Sequence, residues 1–240
     1  MKFYRNEQIE QIAEQRLLSF ERKLERPLSL PVDVELFGEL VLELRILWED
    51  IDELAGEEIL AGLRAADRLI VMNERRKHEM EQKPGRRRLT QGHEMGHWDL
   101  FVDKSKLDCP TLFEATAPGI FAYRCSTSGQ VQIMKTLLSC EGGREHLLQI
   151  NSRLDCPDEA RSVNRYAAAI LMPRAVIIDE AKKVDRTQWP NLYRLAQRFD
   201  VTISALRVRL EQFNLLYVDQ ETKRLYPSLE DAKGQARLLF

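Results

Sequence analysis

His93-Glu94-Met95-Gly96-His97 is the segment of this chain best suited to chemistry. Two imidazoles four residues apart share one face of an α-helix, with Cβ atoms about 5–6 Å apart. From there both can reach a single zinc ion at about 2.0–2.1 Å. Glu94 follows the first histidine, so its carboxylate is expected beside the metal without ligating it, where it can take a proton from a bound water. Zinc lowers the pKa of that water to about 7, which gives a usable nucleophile near neutral pH. The chain has only 4 histidines in 240 residues, so abundance alone does not account for two at this spacing.

A catalytic zinc takes three protein ligands and keeps one position open. The third ligand is expected from a second helix packed on the first. The apolar pattern places that helix at Pro157 to Met172, ended by Pro173, and its only glutamate is Glu159. Val163, Tyr166 and Ile170 continue the stripe of Glu159, which puts it at the start of the buried face. A first-turn acid complementing the helix dipole is the plainer role for Glu159 and for its neighbour Asp158.

The elements around these two helices follow from periodicity. Ile9, Ile12, Ala13, Leu17, Phe20 and Leu24 mark an N-terminal helix, with Asn6 as its expected cap. A short helix is expected from Asp33 to Leu40. Leu42, Leu44, Ile46 and Trp48 alternate with charged residues as a half-buried strand. Ile59 to Leu63 and Leu69 to Met72 form an expected hairpin around Ala65-Ala66-Asp67. The zinc helix is expected from about Leu89 to Phe101, and residues 102–157 read as irregular. The fold class expected is α+β: a small antiparallel sheet with flanking helices carrying a two-helix zinc site, in residues 1–173. A C-terminal helical subdomain, residues 174–240, completes it. There Leu195 to Leu210 has the pattern of a helix-turn-helix, with Arg207 and Arg209 expected on the surface of its second helix.

Two blocks carry a resemblance: Arg87-Arg88-Leu89-Thr90-Gln91-Gly92-His93-Glu94-Met95-Gly96-His97-Trp98, and Val163-Asn164-Arg165-Tyr166-Ala167-Ala168-Ala169-Ile170-Leu171-Met172-Pro173. Together they are similar to the ImmA/IrrE-type metallopeptidases, over most of residues 6 to 215. The resemblance implies a cytosolic zinc endopeptidase that cleaves a helix-turn-helix transcriptional repressor encoded nearby, switching on stress, mobile-element or anti-phage genes. It implies His93 and His97 as zinc ligands and Glu94 as the base. In that family the ligand glutamate usually stands four residues before the asparagine, a position held here by Ala160, with Glu159 one residue earlier. The interval between His97 and Glu159 is also longer than in the family, so residues 102–157 read as an insertion.

Three further features have both a chemical and a bland reading. Cys109 follows the zinc helix, and a thiolate there could fill the open zinc position and hold the enzyme off; a lone cysteine is more often a small apolar filler. Cys156 is a weaker choice for the same role. Arg75, Arg76, Lys77, Lys83, Arg86, Arg87 and Arg88 form a basic run that could bind phosphates, single-stranded DNA as an activator included. A charge run is more often a solvated face, and this one has no aromatic residue for stacking. The oxyanion-stabilising group is open among Tyr123, His146 and Tyr166.

Composition excludes several classes. The chain is 44% hydrophobic and 31% charged, with 11 Gly and 9 Pro, which is neither disordered nor low-complexity. A net charge of −2 provides no global field for nucleic acid. No apolar run approaches the roughly 18 residues of a membrane span. The N-terminus turns polar at once, and the 4 separated cysteines make neither a Cys-x-x-Cys knuckle nor an expected disulfide set, so the cytosol is the expected compartment. Besides the peptidase, a catalytically inert DNA-binding regulator and a nucleic-acid sensor with structural zinc fit the same features.

Overall fold

A computed structural model describes residues 3–53, 58–107, 121–125 and 157–238. The N-terminal apolar stripe becomes helix α1, Asn6–Leu24, which buries Ile9, Ala13, Leu17 and Phe20. Its cap lies one residue earlier than expected. Arg5 is the N-cap, and the Gln8 side chain accepts its backbone N–H at 2.8 Å. Asp33 caps α2, Val34–Leu42, by accepting from the Leu36 N–H. Glu43 then ends α2 in the left-handed region at φ 57°, and the chain enters β1, Arg45–Glu49.

The expected hairpin is present as β2, Ile59–Arg64, and β3, Leu69–Asn73, paired antiparallel with Gly62 opposite Val71. The all-antiparallel sheet is corrected. β3 lies between β1 and β2 and pairs with β1 in parallel, Arg45 opposite Leu69 and Glu49 opposite Asn73. β2 lies beyond β3 from β1, and the hairpin folds back between them, so β1 and β3 run the same way. Every residue of β3 is buried, because both faces are covered. Ile70 and Met72 join the main core, while Leu69 and Val71 pack with Ile51 and Ile59 on the other face.

A fourth strand, β4, Phe121–Cys125, pairs antiparallel with β2 and is the outermost strand on that side among the described residues. Residues 102–157 are therefore not an insertion outside the fold throughout, since they supply a strand of the main sheet.

Helix α3, Lys77–Gln82, leads to α4, Pro84–Gly96, which starts five residues before the expected Leu89 with proline in its first turn. α4 continues as a π-helical turn, His97–Phe101, closed by the Val102 N–H donating to the His97 carbonyl at 3.2 Å. Helix α5 spans Pro157–Leu171. Beyond it come α6, Arg174–Lys182, α7, Trp189–Phe199, and α8, Ile203–Gln212. A short hairpin of β5, Tyr217–Val218, and β6, Leu225–Tyr226, precedes α9, Leu229–Leu238.

The C-terminal helices are not laid loosely beside the rest. One cluster of buried apolar side chains includes Ile9 and Phe37 together with Leu192, Phe199 and Leu210. Arg209, expected on the surface, is fully buried. It donates to the Met172 carbonyl at 3.1 Å and to the Glu10 carboxylate at 2.8 Å, and its guanidinium stacks on Phe213 at 4.6 Å.

Candidate metal centre

α4 and α5 pack along a seam of small residues. A Cβ on Gly96 would stand 2.9 Å from the Cβ of Val163, and one on Gly92 would stand 3.1 Å from the Cβ of Ala167. Only glycine allows that approach without displacing α5. The register runs antiparallel: a step from 92 to 96 on α4 matches a step from 167 to 163 on α5.

Each glycine is followed by a histidine. The His93 and His97 side chains therefore leave α4 beside the seam, and both are buried. Their Nε2 atoms are 3.2 Å apart. Two ligands on a tetrahedral zinc, each at about 2.05 Å, are separated by roughly 3.3 Å. The spacing thus fits a shared metal. The second ring nitrogen of His93, Nδ1, lies 2.9 Å from Asn164 Oδ1 on α5. An amide oxygen only accepts, so Nδ1 carries the proton and the Nε2 lone pair is turned toward His97. Outer hydrogen bonds of this kind fix tautomer and ring orientation in metal sites. Glu94 is completely buried in the same helical turn.

Among the described residues no third His, Cys, Asp or Glu joins the two histidines in a group able to hold a metal. Glu159 stands in the first turn of α5, half-buried, one turn before Val163 and on the stripe that faces Gly96. The position one turn before Asn164 is Ala160. Asp158 points its carboxylate at Arg161 and is exposed. Cys109, Cys156 and His146 lie outside the described residues, and of Tyr123 only the strand position is described. Tyr166 has a fixed task. It is fully buried and its hydroxyl donates to Asp99 at 3.1 Å, which removes it from the oxyanion candidates. Burial, with the Asp99 charge beside it, pushes the Tyr166 hydroxyl well above the usual tyrosine range.

Asp99 was not singled out by any sequence signal. Its side chain is 0% exposed and sits in the π turn. Arg16 of α1 grips it with Nη2 at 2.7 Å and Nε at 2.9 Å, and Lys104 adds a contact at 3.2 Å. Burial raises its carboxyl, but Arg16 and Lys104 outweigh that and hold it below the usual carboxylate range.

The basic run is largely matched by acids. Arg75 pairs with Asp50 and Asp52, Arg76 with Glu53, Lys77 with Glu74, and Lys83 and Arg86 with Glu79. Arg88 is buried and donates to the Val32 carbonyl at 2.6 Å. In the helix-turn-helix-like segment, Asp200 ends α7 at φ 49° and Thr202 caps α8. The turn between them sits on α4. A Cβ on Gly85 would stand 2.7 Å from the Val201 carbonyl carbon. Arg207 is half-buried beside Glu211, and Ser204 and Val208 are exposed.

No helix among the described residues is long and apolar enough to cross a membrane. In comparisons with known proteins, no family model and no curated sequence matches this chain.

Proposed function

We propose that this chain is a zinc-dependent endopeptidase. The single observation that carries the reading is the paired imidazoles: His93 and His97 with Nε2 atoms 3.2 Å apart and the first ring held by Asn164. When bound, zinc would polarise the scissile carbonyl and lower the pKa of a water molecule. Everything else falls to the chain. His93 and His97 would hold the ion through Nε2. Asn164 keeps His93 in the tautomer that can ligate. Glu94 accepts the water proton on its carboxylate and delivers it to the leaving amine. Glu159 is the proposed third ligand, as the carboxylate of α5 nearest the seam. Cys109 remains the proposed inhibitory ligand.

The substrate is proposed to be a polypeptide, and a helix-turn-helix repressor in particular on the strength of the family resemblance. β4 supports a peptide substrate. It pairs with β2 on one side, and α4 packs across β2, β3 and β4, so an extended peptide adding to the strand's outer edge would lie beside the helix that bears the histidines.

The test is metal analysis of purified protein together with a cleavage assay on the repressor encoded beside it. About one equivalent of zinc and a discrete cut are expected. Glu94→Gln should keep the zinc and lose the cut. A protein that takes up no transition metal, or a Glu94→Gln variant that cuts as well as the parent, overturns the reading.

A further inference from the structure

We propose that Asp99 is a positioning residue for the metal site, holding the π turn that fixes His97. The inference rests on the zinc reading above. π-helical turns are rare and lack the regular α-helical bonding, so they persist where surrounding contacts hold them. This one begins at His97, whose carbonyl accepts from the Val102 N–H, five residues on, at 3.2 Å. Asp99 lies in the middle of that turn. Its carboxylate receives Arg16 from α1 twice, Tyr166 from α5 and Lys104 from the segment that leaves the site. Three separate parts of the chain thus converge on one buried group, while the neighbouring Leu100 carbonyl accepts from the Tyr4 hydroxyl at 2.6 Å.

Asp99 and Asn164 act as two bolts on the same pair of helices. Asn164 ties α5 to His93, on one side of His97. Two residues along α5, Tyr166 ties it to the turn on the other side. A buried carboxylate is costly unless paired, and Arg16 and Lys104, whose side chains are 39% and 43% exposed, supply that pairing here. Removing the Asp99 charge would leave Arg16 and Lys104 without their shared acceptor and let the turn relax toward ordinary α-helix. The His97 carbonyl would change partner and its imidazole would leave the geometry that faces His93.

The experiment compares full-length wild type with Asp99→Asn, Asp99→Ala and Arg16→Met. Three quantities are measured: thermal unfolding without metal, zinc affinity by chelator competition, and the visible spectrum after loading with cobalt(II). Asp99→Asn keeps the side chain's shape, so it stays informative where Asp99→Ala does not fold. Zinc binding by Asp99→Asn is expected to weaken about 10-fold, the lower end of the loss seen for outer-shell partners. Its cobalt bands should shift, and Arg16→Met should move both readouts in the same direction. An Asp99→Asn protein that melts earlier yet binds zinc and shows cobalt bands like the parent would overturn the proposal, because Asp99 would then only stabilise the fold. Failure of the zinc reading is separately visible, as absence of metal binding in the unsubstituted protein.

Discussion

Changing Glu10 to Gln tests how firmly the C-terminal helices are joined to the rest. The Arg209 side chain is 0% exposed and that of Glu10 is 10% exposed. Arg165 faces the same carboxylate at 3.6 Å. Burial already pulls the Arg165 guanidinium below its ordinary value, with Glu10 opposing. The amide keeps the size of Glu10 and can still accept one hydrogen bond, but it takes from the two guanidinium groups the acid they share, leaving Arg165 only the weaker pull of Glu7. Removing one partner of a buried pair costs about 3–5 kcal/mol. Glu10 retains some exposure, so about 3 kcal/mol is the expected loss. For a chain of this size that lowers the thermal midpoint by roughly 6–12 °C. Arg209→Met should also destabilise, since it forfeits the Met172 carbonyl contact and the stack on Phe213. The double variant should lose less than the sum of the two single losses, by about 1 kcal/mol or more, because Arg209 is then no longer stranded, although Arg165 still is. Urea unfolding followed by circular dichroism gives all three values. A Glu10→Gln midpoint unchanged within error, with additive single effects, would refute the idea of a load shared by this pair.

Other substitutions probe the site and its supports. Gly96→Ala should cost about 1–3 kcal/mol by forcing Val163 away, and should weaken zinc binding, measurable by calorimetry. Asn164→Ala should lower zinc affinity by about 10–100-fold in chelator competition while leaving the fold intact by circular dichroism. Asp33→Ala and Thr202→Ala each remove a helix cap, at about 1 kcal/mol apiece in denaturant unfolding. Arg75→Ala and Arg86→Ala, whose cations are already matched by acids, should leave any DNA affinity in a filter-binding assay unchanged.

The histidine pair was legible because helical spacing is a local property, and the structure keeps both rings on one turn. The hairpin was legible for the same reason. The parallel pairing of β1 with β3 was not, because alternation in a strand says which face is buried and nothing about which neighbour it finds. β4 was hidden by the absence of any strong pattern between residues 102 and 157. Arg209 was misread as exposed because an arginine is rarely buried unless paired. Leu206 and Leu210 bracket it on the buried face, but its partner Glu10 lies 199 residues away. The Asn164 contact to His93 spans 71 residues and is equally invisible to local reading. Asp99, between Trp98 and Leu100, carries no local sign of its burial, and only the arrival of Arg16 from α1 makes it a buried hub.

The glycines of α4 bear on when a metal could be acquired. Gly85, Gly92 and Gly96 fall within a helix of 13 residues. Each disfavours a helix by about 1 kcal/mol relative to alanine, and a segment this short is marginal in water even when alanine-rich. The excised peptide would be a coil whose two imidazoles seldom meet. They come together only once α5 and the 200–202 turn have closed on that bare surface. On the proposed zinc reading, ion uptake would follow folding, and zinc would add to stability only through the mass-action term set by free-ion concentration over Kd.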